Sequence, residues 1–454
     1  MQRSDAVHSK NALRVKSLFQ KRRYDMKTYV HWMVAAIFSM TLAFAAPEQG
    51  RGTLPAAKGA IAGDSKRVVL PGNISHYIYD VRVGPGQFDV IRLHRVVKEL
   101  TLGQPVRAMN GVFLLPGTPN YFETVFMAPL ISQAVPWDHS IAVFLAKNDV
   151  DVWGMDYGWA LAPPETTDFT FMKDWGLAKD VQHAEIALSI IRFLRAWSGQ
   201  DYGPLHLLGL CSGGIIAYAV AGDDTQKPPG LRHVKGIIPL EVGMKLDKEA
   251  DRGFYRDAIA TDQAILSSGV YSDDFGLFLN QLSGLALSAP KDPSDMIPGI
   301  TNYQAALFVG TTTELVSGQF WHFVGGYLDE NGIPSGLRYT EARLWLDVLQ
   351  NLPPHYPTRI DVDVVFSGQP DASFDGHLGQ VAVPILYVGG AGGFGTSGYH
   401  ATTLTASKDV KTILVQRQPD DKRQEDFGHV DTLLANDAET AVWRPILDWI
   451  VAHR

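Results

Sequence analysis

Short apolar runs alternate with amphipathic stretches along most of the chain. Several of the runs are continuously apolar, which is typical of strands buried on both faces of a parallel sheet. The predicted strands are 78–83, 90–97, 108–115, 150–156, 205–210, 235–240, 385–388 and 411–416. The pattern therefore favours a sheet-centred fold.

Helical spacing fills the intervals between these strands. We predict helices over 141–147 and 181–197, and a closing helix over 438–452 with Trp443, Ile446 and Ile450 on its inner face. In the helix 181–197 the apolar positions recur three or four residues apart and form one stripe: Ala187, Ile190, Ile191, Leu194 and Trp197. Strand–helix alternation of this kind indicates an α/β fold, with a mostly parallel sheet and helices on both faces.

The interval 244–375 breaks the alternation. It contains helical segments at 257–267, 302–311 and 341–351, few strand signals and many aromatic residues, namely Phe320, Trp321, Phe323, Tyr327 and Trp345 together with His322. We interpret it as a helical cap inserted into a core that spans 76–243 and 376–454. A separate C-terminal domain is the alternative, but two further strands and a helix follow the interval.

The first 45 residues have the composition of a secretory signal peptide. Basic residues precede an apolar run over 32–44, and Ala43-Phe44-Ala45 has the small-x-small form of a cleavage site. An uncleaved anchor is the alternative, but the run is shorter than the ~20 residues that span a membrane. We predict cleavage after Ala45, a lead-in segment over 46–75, no membrane span afterwards, and a secreted or periplasmic protein. Translation could start at Met1 or at Met26.

Composition and charge narrow the function classes. Of 454 residues, 46% are hydrophobic and 19% are charged, which excludes a disordered chain. The net charge of −8 provides no general basic field, so no nucleic-acid partner is expected. The single cysteine excludes an intrachain disulfide and a multi-cysteine metal site, and because no metal-binding spacing occurs either, no metal is predicted.

The most informative segment follows the predicted strand 205–210. There Gly209-Leu-Cys211-Ser-Gly213 leads at once into a helix of small residues, which is the layout of a nucleophile elbow. The residues two before and two after the nucleophile must be small, and Gly209 and Gly213 satisfy this rule for Cys211. Ser212 is the alternative nucleophile, but its flanks would include Leu210, which is too large. A small buried hydrophobic residue is the other interpretation of Cys211.

These residues resemble the α/β-hydrolase superfamily. The likeness rests on the Gly-x-Cys-x-Gly-Gly elbow, on the turn 114–118 after an earlier strand, and on Phe427-Gly428-His429 near the C-terminus. The elbow is similar to that of dienelactone hydrolases and polyhydroxyalkanoate synthases, in which cysteine replaces serine. The resemblance covers most of 108–454 and implies the order nucleophile, acid, histidine, with His429 as the general base.

The position of the acid departs from the usual pattern. The loop 388–395, where the superfamily usually places it, contains no carboxylate. A variation known in the superfamily puts the acid after the strand that follows the elbow helix, where Glu241 stands. Asp426 is the alternative, although so close to His429 it could serve only to cap the turn. The resemblance also implies an oxyanion hole formed by the backbone N–H groups of Ser212 and Thr118.

The loop 390–395 also matches a dinucleotide-binding fingerprint, which we reject. Gly390, Gly392 and Gly395 have the right spacing, but 396–399 is a poor helix start and no acidic residue ends the next strand. No cofactor is therefore predicted.

Together these features predict an exported hydrolase that cleaves a carboxylic ester or lactone through an acyl-enzyme at Cys211. Its substrate would be a small-molecule or polymeric ester. The alternatives are an acyltransferase or polyester-synthase-like enzyme, and a non-catalytic binding protein on a hydrolase scaffold.

Overall fold

A computed structural model of the chain describes residues 66–108, 110–312, 321–371 and 376–454. The predicted signal peptide, most of the predicted lead-in segment and Phe320 lie outside these ranges. The strands are β1 (Lys66–Leu70), β2 (Ile74–Arg82), β3 (Val90–Thr101), β4 (Gln104–Pro105), β5 (Asn110–Leu115), β6 (Val150–Asp156), β7 (Leu205–Leu210), β8 (Val234–Leu240), β9 (Ser272–Asp273), β10 (Gly326–Leu328), β11 (Pro334–Leu337), β12 (Tyr356–Pro357), β13 (Ile385–Gly390) and β14 (Val410–Val415).

Ten of these strands form one twisted sheet. Its order is β1-β2-β3-β6-β5-β7-β8-β13-β14, and β4 pairs with β3 outside this path. The six strands from β6 to β14 run parallel, whereas β1, β2 and β3 form an antiparallel edge. The sheet is therefore mostly parallel, as the sequence predicts, and the carboxyl ends of its parallel strands share one edge.

The α-helices lie between the strands and after the last of them. They are α1 (Phe122–Phe126), α2 (Ile141–Lys147), α3 (Leu177–Trp197), α4 (Ser212–Asp224), α5 (Glu249–Ser267), α6 (Phe275–Ser288), α7 (Asn302–Thr311), α8 (Ala342–Gln350), α9 (Thr358–Ser367), α10 (Tyr399–Thr403), α11 (Asp431–Leu434) and α12 (Arg444–Ala452). A π-helical turn over Glu439–Trp443 leads directly into α12.

Helices cover both faces of the sheet. Successive side chains of β5 point to opposite faces, and they enter two different hydrophobic clusters. Val112 and Leu114 pack in the cluster that contains residues of α2 and α12, whereas Phe113 and Leu115 pack in the cluster that contains residues of α3 and α4. The prediction of an α/β sheet covered on both sides is confirmed.

Two local predictions are wrong. The sheet begins at Lys66, inside the predicted lead-in segment. The apolar pattern did not indicate β1 and the start of β2, because polar residues such as Ser75 and His76 are buried there. The spacing places Trp197 on the apolar stripe of its helix, but its side chain is 81% exposed. It is the last residue of α3, and its ring lies 6.1 Å from that of Phe193, which is also exposed.

The segment between β8 and β13 contains helices α5 to α9 and two short antiparallel pairs, β9 with β12 and β10 with β11. The sheet then resumes, because β13 pairs in parallel with β8. The domain boundaries at residues 244 and 375 stay predictions. Within the described ranges, none of the helices combines the length and the apolar character needed to cross a bilayer.

Candidate active site

Cys211 lies at a sharp turn between β7 and α4. Its backbone has φ 55° and ψ −123°, a left-handed conformation that costs a non-glycine residue about 1–3 kcal/mol. The turn is held because the Cys211 N–H donates to Leu240 O of the neighbouring strand β8 at 3.0 Å. The side chain of Cys211 is partly exposed at the carboxyl edge of the sheet. The strand–turn–helix geometry predicted for this segment is present, with the cysteine at its apex.

The two glycines that flank Cys211 have no room for a side chain. A Cβ added at Gly209 would lie 2.2 Å from the carbonyl oxygen of Gly213, and one added at Gly213 would lie 2.2 Å from the carbonyl oxygen of Leu115. Both clashes are with backbone atoms, which cannot rotate away. The small residues predicted from the sequence are therefore required by the close approach of β7, α4 and β5.

We expect Gly209→Ala to destabilise the fold by about 3 kcal/mol, because the new methyl group must displace backbone. Gly230→Ala is the matched control, since a Cβ at Gly230 meets nothing within 4 Å. Denaturant unfolding of both variants measures the difference. Equal stability of the two variants would contradict the tight turn described here.

Ser212, the alternative nucleophile, is not placed as one. Its side chain is buried, and its Oγ accepts a hydrogen bond from the Thr118 N–H at 2.9 Å and lies 3.1 Å from Thr118 Oγ1. This contact also corrects the expected oxyanion hole, because the Thr118 N–H is already bonded. The Ser212 N–H stands at the first position of α4, where a backbone donor has no partner within the helix, and so remains a candidate donor.

His429 connects the candidate nucleophile with Glu241. Its Nδ1 lies 3.1 Å from Glu241 Oε2, and Cys211 is close enough to raise the pKa of its imidazole. Glu241 is completely buried directly after β8, in a left-handed conformation with φ 56°. The three residues come from the carboxyl ends of β7 and β8 and from the segment after β14. The structure thus brings together Cys211, His429 and Glu241, in the order that the resemblance implies.

The loop 388–395, which contains no carboxylate of its own, binds the carboxylate of Glu241. The backbone N–H groups of Gly390 and Phe394 donate to the two oxygens of Glu241, the latter at 2.8 Å. A Cβ at Gly393 would lie 2.0 Å from Glu241 Oε2, so this position must be glycine for the carboxylate to fit. The glycine-rich loop that matches the dinucleotide fingerprint therefore holds the carboxylate of Glu241.

Asp426, the alternative acid, binds backbone groups with its carboxylate. Its Oδ1 accepts hydrogen bonds from the backbone N–H groups of Arg417 and Phe427, each at 2.7 Å. Asp426 therefore caps the turn that leads into His429, and the carboxylate that contacts the imidazole is that of Glu241.

The segment around His429 is fixed by neighbours that the sequence did not indicate. The His429 N–H donates to His322 O at 2.9 Å, and the Gly428 N–H donates to Asp431 Oδ2 at 2.7 Å. Burial, the largest influence, raises the pKa of the Asp431 carboxyl to about 6. Asp431 begins the short helix α11, where acidic residues are common, so its position carried no specific signal.

Aromatic rings enclose the imidazole. The ring centroid of His429 lies 4.7 Å from that of Trp321 and 5.5 Å from that of Phe394, and Phe323 lies edge-on at 6.0 Å. Two of these rings belong to the aromatic segment that the sequence assigns to the cap. Water is consequently limited around the histidine, which strengthens its electrostatic interactions.

The charge state of His429 reflects this setting. Burial is the largest single influence and lowers its pKa. The charge of Cys211, a hydrogen bond to Cys211, and the hydrogen bond and charge of Glu241 together outweigh burial and raise the pKa of His429 to about 9. The imidazole of His429 is therefore protonated at neutral pH.

A second polar group lies within electrostatic reach of Cys211. Burial, followed by the charges of Asp273 and Asp262, raises the pKa of the Asp361 carboxyl well above its usual range, and Cys211 contributes in the same direction. Tyr356 forms a hydrogen bond with this carboxyl. Sequence reasoning missed Asp361, whose one signal is that it stands between the apolar residues Ile360 and Val362 on α9.

Side chains of the types that ligate metals lie close together elsewhere in the described part of the chain. His76, His94 and Glu123 bring possible ligand atoms within 4.8 Å of one another. The spacing along the sequence indicated no metal site, and this group shares no residue with the cysteine site.

Comparison with known proteins identifies the fold. No protein-family model and no curated protein matches the chain. Among solved structures, one provisionally assigned as a lipase from Sulfolobus solfataricus is similar, with 20% identity and a TM-score of 0.59 over 86% of this chain and 99% of that one.

Two further structures are more distant. Juvenile hormone epoxide hydrolase from the silkworm Bombyx mori matches with 15% identity and a TM-score of 0.41, over 84% of this chain and 77% of that one. A thermophilic esterase from Thermogutta terrifontis matches with 11% identity and a TM-score of 0.39, over 83% and 98%. The α/β-hydrolase fold predicted from the motifs is confirmed. The closer likeness of the elbow to dienelactone hydrolases and polyhydroxyalkanoate synthases stays a prediction.

Proposed function

We propose that this chain, which has the α/β-hydrolase fold, is a hydrolase that cleaves a carboxylic ester or lactone through an acyl-enzyme at Cys211. The observation that carries the proposal is the position of His429, which contacts Glu241 through Nδ1 and lies close enough to Cys211 for the cysteine to raise its pKa. A nucleophile, a base and a carboxylate that orients the base are the parts that acyl transfer requires.

The first half of the proposed reaction forms a thioester. With the proton on His429, the sulphur of Cys211 attacks the carbonyl carbon of the substrate as a thiolate, and the carbonyl oxygen becomes an oxyanion. The Ser212 N–H and the N-terminus of α4 stabilise this negative charge. The C–O bond to the leaving alcohol then breaks, and the imidazolium of His429 donates its proton to that alcohol.

The second half returns the enzyme to its starting state. Neutral His429 accepts a proton from a water molecule, whose oxygen attacks the thioester carbonyl carbon. The C–S bond breaks, the carboxylic acid leaves, and the thiolate of Cys211 again faces a protonated imidazole. Glu241 keeps the Nδ1 proton in place throughout, so that the other ring nitrogen performs both transfers.

The surroundings of the histidine suggest the substrate class. Trp321, Phe323 and Phe394 pack their rings around the imidazole of His429, so its surroundings are apolar. We propose that the acyl or alcohol group beside these rings is apolar or aromatic, because such a group gains by leaving water there.

An ester panel tests the proposed function. Purified protein is assayed with p-nitrophenyl esters of different acyl groups and with lactones, in the presence and absence of an alcohol acceptor. Release of free acid as the main product supports a hydrolase. Predominant transfer to the alcohol would support the acyltransferase alternative instead, and absence of turnover with every substrate would contradict the proposal.

The contacts of Glu241 argue against the non-catalytic alternative. The loop 388–395 contains no carboxylate of its own, but its backbone N–H groups bind Glu241, which contacts His429. A protein that only binds has no need of a buried carboxylate, an imidazole and a partly exposed thiol in contact.

We also propose that the enzyme is exported. The support is the basic and apolar composition of the first 45 residues, with Ala43-Phe44-Ala45 at their end. On expression in a secreting host, intact mass and N-terminal sequencing should find a mature chain that begins at Ala46. A secreted protein that still begins at Met1 or Met26 would contradict the predicted cleavage.

A further inference from the structure

A compact group of metal-ligand side chains lies on the antiparallel side of the sheet. His76 of β2, His94 of β3 and Glu123 of α1 place possible ligand atoms within 4.8 Å of one another. The two histidines are buried, and Glu123 is partly exposed. The group therefore has an inner part shielded from water and one side through which an ion could enter.

Strand pairing aims the two imidazoles at each other. In the β2–β3 register Ile78 pairs with His94 and His76 pairs with Val96, so the histidines are diagonal neighbours on one face. His76 Nε2 and His94 Nδ1 are 2.9 Å apart. Two nitrogens bound to one tetrahedral zinc ion lie about 3.4 Å apart, so the rings would separate by only roughly 0.5 Å to admit it.

A buried carboxylate orients the central histidine. His94 Nε2 lies 3.1 Å from Asp156 Oδ2, which leaves Nδ1 directed at His76. Asp156 is itself fixed, because its Oδ1 accepts a hydrogen bond from the Phe122 N–H at 2.6 Å. A histidine that binds metal through one nitrogen commonly donates its other N–H to a carboxylate in this way.

The remaining polar atom of His76 is unsatisfied. His76 Nδ1 is buried without a hydrogen-bond partner, which is uncommon for a polar side-chain atom in a folded core. The ring of Phe122 covers the group by stacking on His94 at 4.5 Å, in space that Gly154 leaves open because a Cβ there would lie 2.1 Å from that ring. The apolar cover and the two carboxylates, Glu123 and Asp156, make the location favourable for a divalent cation.

We propose that His76, His94 and Glu123 form a zinc-type metal site, with Asp156 as the outer carboxylate and water at the fourth position. Imidazole nitrogen and carboxylate oxygen are ligands that zinc accepts in four-coordinate sites. The proposal does not depend on the proposed esterase function, since none of these residues belongs to the cysteine site.

The bound ion would be structural. It would join α1 to β2 and β3, and α1 begins four residues after Thr118, whose N–H bonds Ser212 beside the nucleophile. Asp156 also precedes Tyr157, whose hydroxyl donates to Pro116 O at 3.0 Å. Both connections lead from the metal site to the turn 116–118, so the ion would hold that turn against the sheet.

The test uses the full, tag-free chain, freed of metal by a chelator and titrated with Co²⁺ and Zn²⁺. We expect one equivalent of Co²⁺ to give visible ligand-field absorption that Zn²⁺ abolishes. At a Zn²⁺ concentration one hundred times the Kd, Tm should rise by about 3 °C. Circular dichroism of each preparation establishes that the protein is folded.

Two variants remove a ligand, and a third serves as the control. Glu123→Gln and His76→Phe should each lower the affinity for Co²⁺ at least about a hundredfold, whereas Glu330→Gln, at an exposed position, should bind as the wild type does. The proposal is wrong if the wild type shows no saturable Co²⁺ spectrum and no Tm shift. It is equally wrong if Glu123→Gln binds Co²⁺ as tightly as the wild type.

Discussion

Replacing Cys211 with alanine should reduce ester turnover at least about 10⁴-fold, to the level of the uncatalysed reaction. The variant keeps the turn and Ser212 but lacks the sulphur that would form the thioester. Steady-state assays with the best p-nitrophenyl ester measure the loss. A folded Cys211→Ala protein that retains the wild-type kcat would eliminate the thiol mechanism.

Ser212→Ala provides the matched control at the neighbouring position. Ser212 Oγ is buried and bonded to Thr118, so we expect kcat to stay within about tenfold of the wild type. If Ser212→Ala were as inactive as expected for Cys211→Ala, the serine would have to be the nucleophile, contrary to the geometry.

Replacing Glu241 with glutamine should lower kcat by roughly 10²–10³-fold and change KM less. The amide retains the shape of the carboxylate but loses its charge, so the imidazole is no longer held in one tautomer. A thiolate depends on this less than a hydroxyl does, which places the loss below that of the cysteine variant. Parallel kinetics of Asp426→Asn supply the control, which should remain within about tenfold because the amide oxygen can still cap its turn.

Glu241→Gln should also change the pH dependence of kcat/KM. The pKa of His429 is raised to about 9, and its protonated form is the acid that the leaving alcohol needs. Wild-type kcat/KM should therefore fall as pH rises through about 9. Removing the charge of Glu241 lowers the pKa of His429, so the alkaline fall should move to lower pH in Glu241→Gln. A shift to higher pH would show that Glu241 does not stabilise the imidazolium.

The sequence predicted the elbow well because its constraint is local. Gly209 and Gly213 are required by backbone atoms within a few residues of Cys211 and by the adjoining strand, and such steric needs remain visible in a single sequence. The parallel strands were also clear, since strands covered on both faces are continuously apolar. The sequence did not predict β1 and the start of β2, because polar residues are buried at this antiparallel edge and interrupt the apolar pattern.

Which carboxylate contacts His429, that of Glu241 or that of Asp426, could be decided only from the folded structure. Glu241 precedes His429 by 188 residues, and their contact depends on the pairing of β8 with β13. Asp426 is close in sequence, but two backbone N–H groups occupy its carboxylate. The hydrogen bond from the Thr118 N–H to Ser212 Oγ could not be predicted either, because the sequence does not determine the side-chain rotamer of Ser212.

The group of His76, His94 and Glu123 could not be predicted for a similar reason. Whether His76 and His94 share a face depends on the register of β2 against β3, and a shift of one residue would turn one of them to the opposite face. Glu123 is joined to them through a helix that follows a different strand. No fixed spacing along the chain describes such a group.

Trapping the acyl-enzyme tests the central proposal most directly. The protein is mixed with an activated ester, quenched in acid within the first turnover, digested and mapped by mass spectrometry, with Cys211→Ala treated in parallel. We predict one acyl group per chain, on the peptide that contains Cys211, and none at that position in the variant. Acylation of Ser212 in both proteins, or turnover of the ester with no acyl group on Cys211 at any time, would contradict the mechanism.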